Sequence, residues 1–166
     1  MSRYISILFG VGLLRPAPGT WASAIAVGVG LVMLRYVGFP VLLVATLAVV
    51  ALGFWAVGRE LADRPGADPA EIVIDEVAGQ WIALLFPAAA FLWRGGPDWM
   101  PYPGWVGAFV FFRLFDIWKP GIIGRADRRA DPAGVMLDDL WAGVFAGIAV
   151  VIAAGVAHGL MFAMRG

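Results

Sequence analysis

The chain has 166 residues, of which 61% are hydrophobic, and its mean hydropathy is +0.85. Soluble domains usually carry about 45–50% apolar residues, so this composition indicates a membrane protein, and the length fits one domain, residues 1–166. Twelve basic residues balance twelve acidic ones, which speaks against a nucleic-acid partner. The sequence contains no cysteine, which excludes disulfides, thiolate catalysis and cysteine-based zinc sites.

Hydropathy predicts the order of the elements along the chain. The N-terminal segment 4–14 is too short to cross roughly 30 Å of hydrocarbon, so we expect it to lie at the membrane interface or to fold back into the protein. Its apolar run ends in Arg15-Pro16 rather than in a small-residue cleavage site, so we expect no signal peptide. The predicted spans are 21–37, 40–58, 69–93, 103–118 and 137–162. The sequence therefore predicts an all-α, polytopic membrane helix bundle with about five spanning helices.

The distribution of Lys and Arg predicts the orientation, because basic residues collect in cytoplasmic loops. With five spans and a cytoplasmic N-terminus, nine of the twelve basic residues fall on the inner side. These nine are Arg3, Arg15, Arg59, Arg64, Arg113, Lys119, Arg125, Arg128 and Arg129. The remaining three are Arg35, Arg94 and Arg165. An outer aromatic belt is then expected at Trp93, Trp99, Tyr102 and Trp105.

Five acids fall at one depth in this topology, near the cytoplasmic surface. Asp75 and Glu76 are expected in the second turn of the third span, and Asp116 near the inner end of the fourth. Asp138 and Asp139 are expected to open the fifth span. Because a carboxylate at the centre of a membrane helix costs roughly 2.5–3.5 kcal/mol on insertion scales, such acids usually have a task.

Two helix starts carry capping signals. The stretch Asp68-Pro69-Ala70-Glu71 resembles a capping box, so we expect Asp68 and Glu71 to cap the third helix and assign them no catalytic role. In the N-terminal loop, we interpret Thr20 as the cap of the first span, with Ser23 in its first turn. The alternative is that these hydroxyls reach a phosphate near that helix N-terminus.

Glycines follow two of the acid positions at helical spacing. Asp75 shares a helix face with Gly79, and Asp139 shares one with Gly143 and Gly147. A glycine lets a neighbouring backbone approach closely. We therefore expect these two helices to pack tightly and to face their carboxylates together.

Clustered carboxylates repel one another unless a cation neutralises them. The single histidine, His158, lies far from the acids in sequence and is interpreted as a structural residue. An all-oxygen site is left, which suits Mg²⁺, Ca²⁺ or Mn²⁺. The alternative is that Asp138 and Asp139 merely favour a helix N-terminus and that Asp116 pairs with a nearby cation.

Basic residues flank the same acids in the stretch LFDIWKPGIIGRADRRADPAG, which contributes Lys119, Arg125, Arg128 and Arg129. Guanidinium and ammonium groups suit phosphate, although cytoplasmic loops are also basic by topology alone. Carboxylates that hold a metal beside such cations indicate chemistry on a phosphorylated lipid head group.

The blocks GLLRPAPGTWAS, DPAEIVIDEVAGQW and FRLFDIWKPGIIGRADRRADPAGVMLDDLWAG together resemble the bacterial phosphatidylglycerophosphatase A family. The resemblance implies a Mg²⁺-dependent enzyme of the bacterial inner membrane that hydrolyses phosphatidylglycerophosphate to phosphatidylglycerol and phosphate in phospholipid biosynthesis. Its implied acids, as metal ligands and catalytic groups, are Asp75, Glu76, Asp116, Asp138 and Asp139. Around them it implies Arg113, Lys119, Asp127, Arg128 and Arg129. Ile122, Asp131-Pro132 and Ala22 depart from the family pattern and affect loop shape rather than the acids.

Within this set we predict specific roles. Asp75, Asp116 and Asp139 coordinate Mg²⁺, with Glu76 and Asp138 as further ligands or supporting groups. Glu76 is the candidate general base, and Asp138 is the second choice. We predict that Lys119 and Arg128 in particular neutralise the charge of the phosphate. Thr20 is included among the predicted substrate-binding residues because of its hydroxyl group.

A small ion or metabolite transporter, with the acids as ion ligands, is the alternative from another class. Transporters often carry inverted repeats and sites near the bilayer midplane. Here the two Asp-x-x-x-Gly helices run in the same direction and the acids are shallow. Membrane phosphatases with a histidine nucleophile need two histidines in their motifs, whereas the chain has only His158.

Overall fold

A computed structural model describes residues 1–63, 69–96, 100–129 and 131–165. Every regular element in these ranges is helical, which confirms the all-α prediction. The elements are α1 (Ser2–Ser6), a 3-10 segment (Leu8–Leu13), α2 (Pro18–Tyr36), α3 (Phe39–Asp63), a 3-10 turn (Pro69–Glu71), α4 (Ile74–Trp93), α5 (Tyr102–Trp118), α6 (Ile122–Asp127) and α7 (Pro132–Ala163). Three predictions concern residues outside these ranges, namely the orientation count at Arg64, the cap at Asp68 and the belt position Trp99.

Four described helices, α2, α3, α4 and α7, are long and apolar enough to cross a membrane. They coincide with four of the five predicted spans. The remaining predicted span forms α5, which has 17 residues and measures about 25 Å at roughly 1.5 Å per residue. Hydrocarbon is about 30 Å thick, so α5 falls slightly short, and the membrane bundle is confirmed with four clear spans.

The start of α4 differs from the prediction. The helix begins at Ile74, after a separate 3-10 turn at Pro69–Glu71 and a buried Val73 that provides no side-chain cap. Asp75 and Glu76 therefore lie in its first turn rather than its second. The β-branched Val73 uses its backbone N–H elsewhere, because it donates to the carbonyl of Ser6 at 2.9 Å, and this docking interrupts the helix.

The N-terminal segment folds back onto the protein, which is the second of the two predicted alternatives. Ser6, Ile7 and Gly12 are buried. A Cβ atom at Gly12 would overlap with the backbone carbonyl of Glu71. Glu71 also pairs with Arg3 at 3.5 Å, so it ties the two segments together and its predicted role as a helix cap is wrong.

Two other helix starts were predicted too late in the chain. Because proline fits the first helical position, α2 begins at Pro18, without a side-chain cap, and the capping role predicted for Thr20 is wrong. Likewise α7 begins at Pro132 after Asp131, whose carboxylate accepts from the backbone N–H of Gly134 at 2.8 Å.

This earlier start of α7 moves Asp138 and Asp139 into the second turn. Neither residue therefore flanks the helix N-terminus, and the interpretation of this pair as helix-end charges is wrong. The corresponding alternative for Asp116 holds in part, because Asp116 does pair with Arg113.

The bundle centres on α4, which packs against α2, α3, α5 and α7. Its closest neighbour is α7, because glycines face each other there. A Cβ atom at Gly79 would overlap with the carbonyl of Asp139, and one at Gly143 would overlap with the carbonyl of Gly79. This confirms the predicted tight packing of the two helices that carry the acid pairs.

Candidate active site

Three carboxylates meet where α4 and α7 approach most closely. One oxygen from each of Asp75, Glu76 and Asp139 lies within 4.8 Å of the others. Asp75 and Asp139 are buried, and Glu76 is half-buried. The backbone contact between Gly79 and Asp139 sets this geometry, because a side chain at Gly79 would push the two helices apart.

The other two predicted acids border this cluster. Asp116, from α5, is a charged neighbour of Asp139 and Glu76. It also pairs with Arg113, whose Nη1 lies 2.5 Å from Asp116 Oδ2. Asp138 is buried, and its Oδ2 accepts from Lys119 Nζ at 2.7 Å. The structure thus brings together all five acids that the sequence singled out.

A cavity of about 560 Å³ opens onto these acids, and we refer to it as the acidic cavity. Its charged lining comprises Asp75, Glu76, Asp116, Lys119, Asp127, Arg129, Asp131, Asp138 and Asp139. Its other lining residues are Leu61, Ala70, Ile72 and Val135. The acidic cavity therefore combines carboxylates, two cations and an apolar wall.

Lys119 is held over the acids by its backbone as well as by its side chain. It ends α5 in the left-handed conformation, with φ 50° and ψ 52°, which is uncommon outside glycine. Its ammonium donates to Asp127 and Asp138. Partial burial lowers the pKa of Lys119, but these hydrogen bonds outweigh that effect and raise the pKa above its ordinary value. Lys119 therefore remains a cation in the acidic cavity.

The second cation of the acidic cavity, Arg129, also has its own carboxylate partner. Its Nη2 and Nε donate to Asp131 at 2.7 and 3.2 Å. These hydrogen bonds raise the pKa of Arg129 and lower the pKa of Asp131. Arg129 is exposed at the rim of the acidic cavity, and Asp131 is half-buried beside it.

Three residues predicted to bind substrate do not line the acidic cavity in the part of the chain that the structure describes: Arg113, Arg128 and Thr20. Arg113 Nη1 and Glu76 Oε1 both lie beside Gly19. A Cβ atom placed on Gly19 would be 3.2 Å from the arginine nitrogen and would overlap with the carboxylate oxygen. Arg128 is exposed, and its Nη1 would be 3.2 Å from a Cβ atom at Gly124. Thr20 is half-buried beside Gly19.

The carboxylates fit a bound cation. Glu76 Oε2 and Asp138 Oδ1 are buried without a hydrogen-bond partner among the described residues. Buried polar atoms are nearly always paired with protein, water or an ion. A set made of carboxylate oxygens, without thiol or imidazole in the described lining, is suited to Mg²⁺, Ca²⁺ or Mn²⁺.

Sequence reasoning missed two residues beside Glu76. Gly19 was not singled out, yet it provides the space that the Glu76 carboxylate occupies. Gln80 was not singled out, although a polar residue four positions after Glu76 in an apolar helix was a usable signal.

A second cavity of about 510 Å³ lies at the other end of the same three helices, between the C-terminal ends of α4 and α7 and the start of α5. We refer to it as the apolar cavity. Its described lining consists of Pro87, Ala90, Phe91, Arg94, Gly95, Gly96, Met100, Pro101, Pro103, Gly104, Val150, Val151, Ala154, Gly155 and His158. No carboxylate is present in this described lining, so it offers no counterpart to the acid cluster.

Comparisons with known proteins show the family to which the chain belongs. The model of a family described as phosphatidylglycerophosphatase A matches residues 4–154. The chain is 33% identical to phosphatidylglycerophosphatase A of Haemophilus influenzae (88% of this chain, 84% of the relative) and 32% identical to that of Escherichia coli K12 (84% and 76%).

A third relative, from Bacteroides thetaiotaomicron, carries the provisional name of a phosphatidylinositol-3-phosphatase and is 35% identical (87% of this chain, 88% of the relative). No solved structure matches the chain. The family model covers most of the chain, including all five acids and both cations of the acidic cavity. The chain belongs to the phosphatidylglycerophosphatase A family of lipid phosphatases.

Proposed function

We propose that this protein is a Mg²⁺-dependent phosphatase that hydrolyses phosphatidylglycerophosphate to phosphatidylglycerol and phosphate in phospholipid biosynthesis. The observation that carries the proposal is the cluster of Asp75, Glu76 and Asp139 within 4.8 Å, beside Lys119 in one cavity. The names of the Haemophilus influenzae and Escherichia coli relatives support the substrate. The excess of basic residues at this end of the bundle supports a position at the cytoplasmic face of the inner membrane.

Asp75, Glu76 and Asp139 would hold Mg²⁺, with Asp116 and Asp138 as adjoining acids. When bound, the ion offsets the carboxylate charge, polarises the phosphoryl group and makes a nearby water more acidic. Arg113, behind Glu76 and paired with Asp116, supports the acids as a counter-charge rather than as a group that contacts substrate.

The chain's own cations bind the phosphate. Charge accumulates on the phosphoryl oxygens during transfer, and fixed cations stabilise it. Lys119 and Arg129 line the acidic cavity and fill this role. The apolar wall formed by Leu61, Ile72 and Val135 receives the glycerol end of the lipid.

Glu76 is the general base in this proposal. It takes a proton from the attacking water as the oxygen of that water bonds to phosphorus and the ester bond to the glycerol oxygen breaks, and the released glycerol oxygen takes up a proton from solvent. Glu76 lines the acidic cavity, so its carboxylate can face the attacking water and accept the proton. Asp138 is the second choice, because Lys119 already occupies one of its oxygens.

Phosphatidylinositol 3-phosphate is a second candidate substrate. The Bacteroides thetaiotaomicron relative, at 35% identity over most of both chains, carries that activity in its provisional name. Both lipids present a phosphate monoester on a polyol head group, so the same cluster and cations serve either one.

Phosphate release from detergent-solubilised lipids tests the proposal. The purified protein should release phosphate from phosphatidylglycerophosphate with Mg²⁺ and stop when EDTA is added, and phosphatidylinositol 3-phosphate serves as the competing substrate. Faster turnover of the inositol lipid would replace the first substrate with the second. Full activity in EDTA would reject the role of the metal. A trapped phospho-aspartate would reject direct attack by water. If no lipid phosphate released phosphate, the transporter alternative would be favoured.

A further inference from the structure

Gln80 is a buried polar residue that the proposed mechanism does not use. Its side chain is 0% exposed in the middle of the bundle. Neither its amide nitrogen nor its amide oxygen has a hydrogen-bond partner among the described residues. An unpaired amide inside a membrane bundle is costly, and such a residue in a packed span is usually functional.

The helix places Gln80 directly next to Glu76. The two residues are four positions apart on α4, and side chains at this spacing lie on one face with Cβ atoms about 5–6 Å apart. Glu76 Oε2 is itself buried and unpartnered within the described residues. Gln80 therefore offers an unused donor one turn away from an unused acceptor.

The surroundings of Glu76 favour this pairing. Gly19 of α2 leaves room for the Glu76 carboxylate, and Ser23 lies one turn further along α2. The Ser23 hydroxyl is buried and donates to the carbonyl of Gly19 at 2.7 Å, so its own proton is not available to Glu76.

Gln80 also lies outside the lining of the acidic cavity, whereas Glu76 is part of it. Gln80 therefore has no direct access to a substrate in this cavity, and an effect on the reaction would have to pass through a neighbour such as Glu76. A leucine would pack this apolar interface without an unpaired amide, so packing alone does not account for a glutamine here.

We propose that Gln80 is a positioning residue for Glu76. The two groups are not hydrogen-bonded to each other in this structure; in the metal-loaded enzyme the Gln80 amide N–H donates to Glu76 Oε2 across one turn of α4 and orients the carboxylate towards Asp75 and Asp139. This inference rests on the proposed function, because Glu76 is assigned there as base and metal ligand. Partners that orient metal ligands and catalytic groups typically contribute about 10–100-fold in affinity or activity.

Gln80→Leu separates this role from a structural one. Turnover (kcat) should fall about 10–100-fold while KM stays within about threefold of wild type. The melting temperature in EDTA should stay equal or rise, because the substitution removes an unpaired buried amide. The rise in melting temperature on adding Mg²⁺ should be smaller than in wild type, which is a readout independent of turnover.

Thr46→Val is the matched control. Thr46 is also buried, and its hydroxyl donates to the carbonyl of Leu42 within α3. Removing that hydroxyl should leave kcat and the Mg²⁺ response unchanged. If Gln80→Leu does not fold, Gln80→Met, which keeps the length but lacks the donor, takes its place.

A double-mutant cycle with Glu76→Gln completes the test. If Gln80 acts through Glu76, adding Gln80→Leu to Glu76→Gln should lower kcat no further. A wild-type kcat in Gln80→Leu, or additive losses in the cycle, would overturn the inference and leave the proposed function standing. No turnover by the wild-type protein would instead reject the proposed function, and the Mg²⁺ response of Gln80→Leu would still decide the inference.

Discussion

The two ends of the bundle are built from the same three helices, yet they differ in chemistry. The acidic cavity and the apolar cavity have similar volumes, about 560 and 510 Å³, and both lie between α4, α5 and α7. The acidic cavity is lined by seven carboxylates and two cations. In the described lining of the apolar cavity, Arg94 and His158 are the ionisable side chains.

The difference shows that cavity size does not indicate where the chemistry takes place. Burying acids costs free energy, and of the five site acids Asp75, Asp138 and Asp139 are buried. Within the described residues the protein accepts this cost at the acidic end alone. At the acidic end Gly79 of α4 and Gly143 of α7 face backbone atoms of the other helix, whereas Gly155 and Gly159 further along α7 have no atom within 4 Å of a Cβ position. Close backbone packing therefore coincides with the clustered charge.

Substituting one ionisable residue at each end tests this contrast most strongly. Asp139→Asn should lower kcat/KM by about 100–1000-fold, the usual size of losing a preorganised charged group. It should also raise the melting temperature in EDTA, because one of several repelling buried carboxylates is removed. His158→Gln in the apolar cavity should change kcat/KM by less than about twofold, since surface-like substitutions away from a site have small effects. A large loss of activity in His158→Gln would break the comparison.

The cations sharpen the comparison within the acidic end itself. Lys119→Ala should lower kcat about 100-fold or more, because it removes the ammonium that lines the cavity. Arg128→Ala should lower kcat no more than a few-fold, because Arg128 is exposed and lies outside that lining. Phosphate release at saturating lipid measures both. Equal losses in the two variants would show that Arg128 reaches the substrate after all.

How far the sequence predicts this site depends on the kind of information each residue carries. Asp75 and Asp139, with the glycines one turn later, were identified from spacing because helical periodicity fixes which residues share a face. Lys119 was identified by its charge, but its left-handed backbone and its contacts with Asp127 and Asp138 depend on tertiary packing.

Element boundaries were less predictable. The start of α4 was placed at residue 69 because a capping box and a proline are local signals, whereas the docking of Val73 on Ser6 is a contact between distant segments. The start of α7 was placed late because hydropathy outweighed Asp131-Pro132, which is itself a standard helix start.

A packed and an open glycine on α7 provide a stability test of the same contrast. Gly143→Ala places a methyl group against the carbonyl of Gly79 and should cost about 1–3 kcal/mol, as overpacking usually does. Gly155→Ala meets open space and should leave stability unchanged or slightly raised, because alanine is the better helix former by roughly 1 kcal/mol. Melting temperatures in one detergent measure both, and equal destabilisation would remove the distinction between the two halves of α7.

The smallest expected effect concerns the rim of the acidic end. Hydrogen bonds from Arg129 and from the backbone of Gly134 lower the pKa of Asp131 below its ordinary value of 3.8. A lowered folded-state pKa contributes stability above the ordinary value and loses it as the pH falls through the folded one. The melting temperature of wild type should therefore exceed that of Asp131→Asn at neutral pH, and the gap should close below about pH 4. A gap that widens in acid would contradict the ion pair.

The contacts between the N-terminal segment and the loop before α4 also govern the order of events during synthesis. Arg3 and Glu71 are 68 residues apart, and translation adds about 5–20 residues per second. The first residues of the chain therefore wait roughly 3–14 s for their partner, while α2 and α3 are made and inserted. The wall of the acidic cavity at Ala70 and Ile72 is completed only when the segment around Ser6, which is made several seconds earlier, docks against the loop before α4.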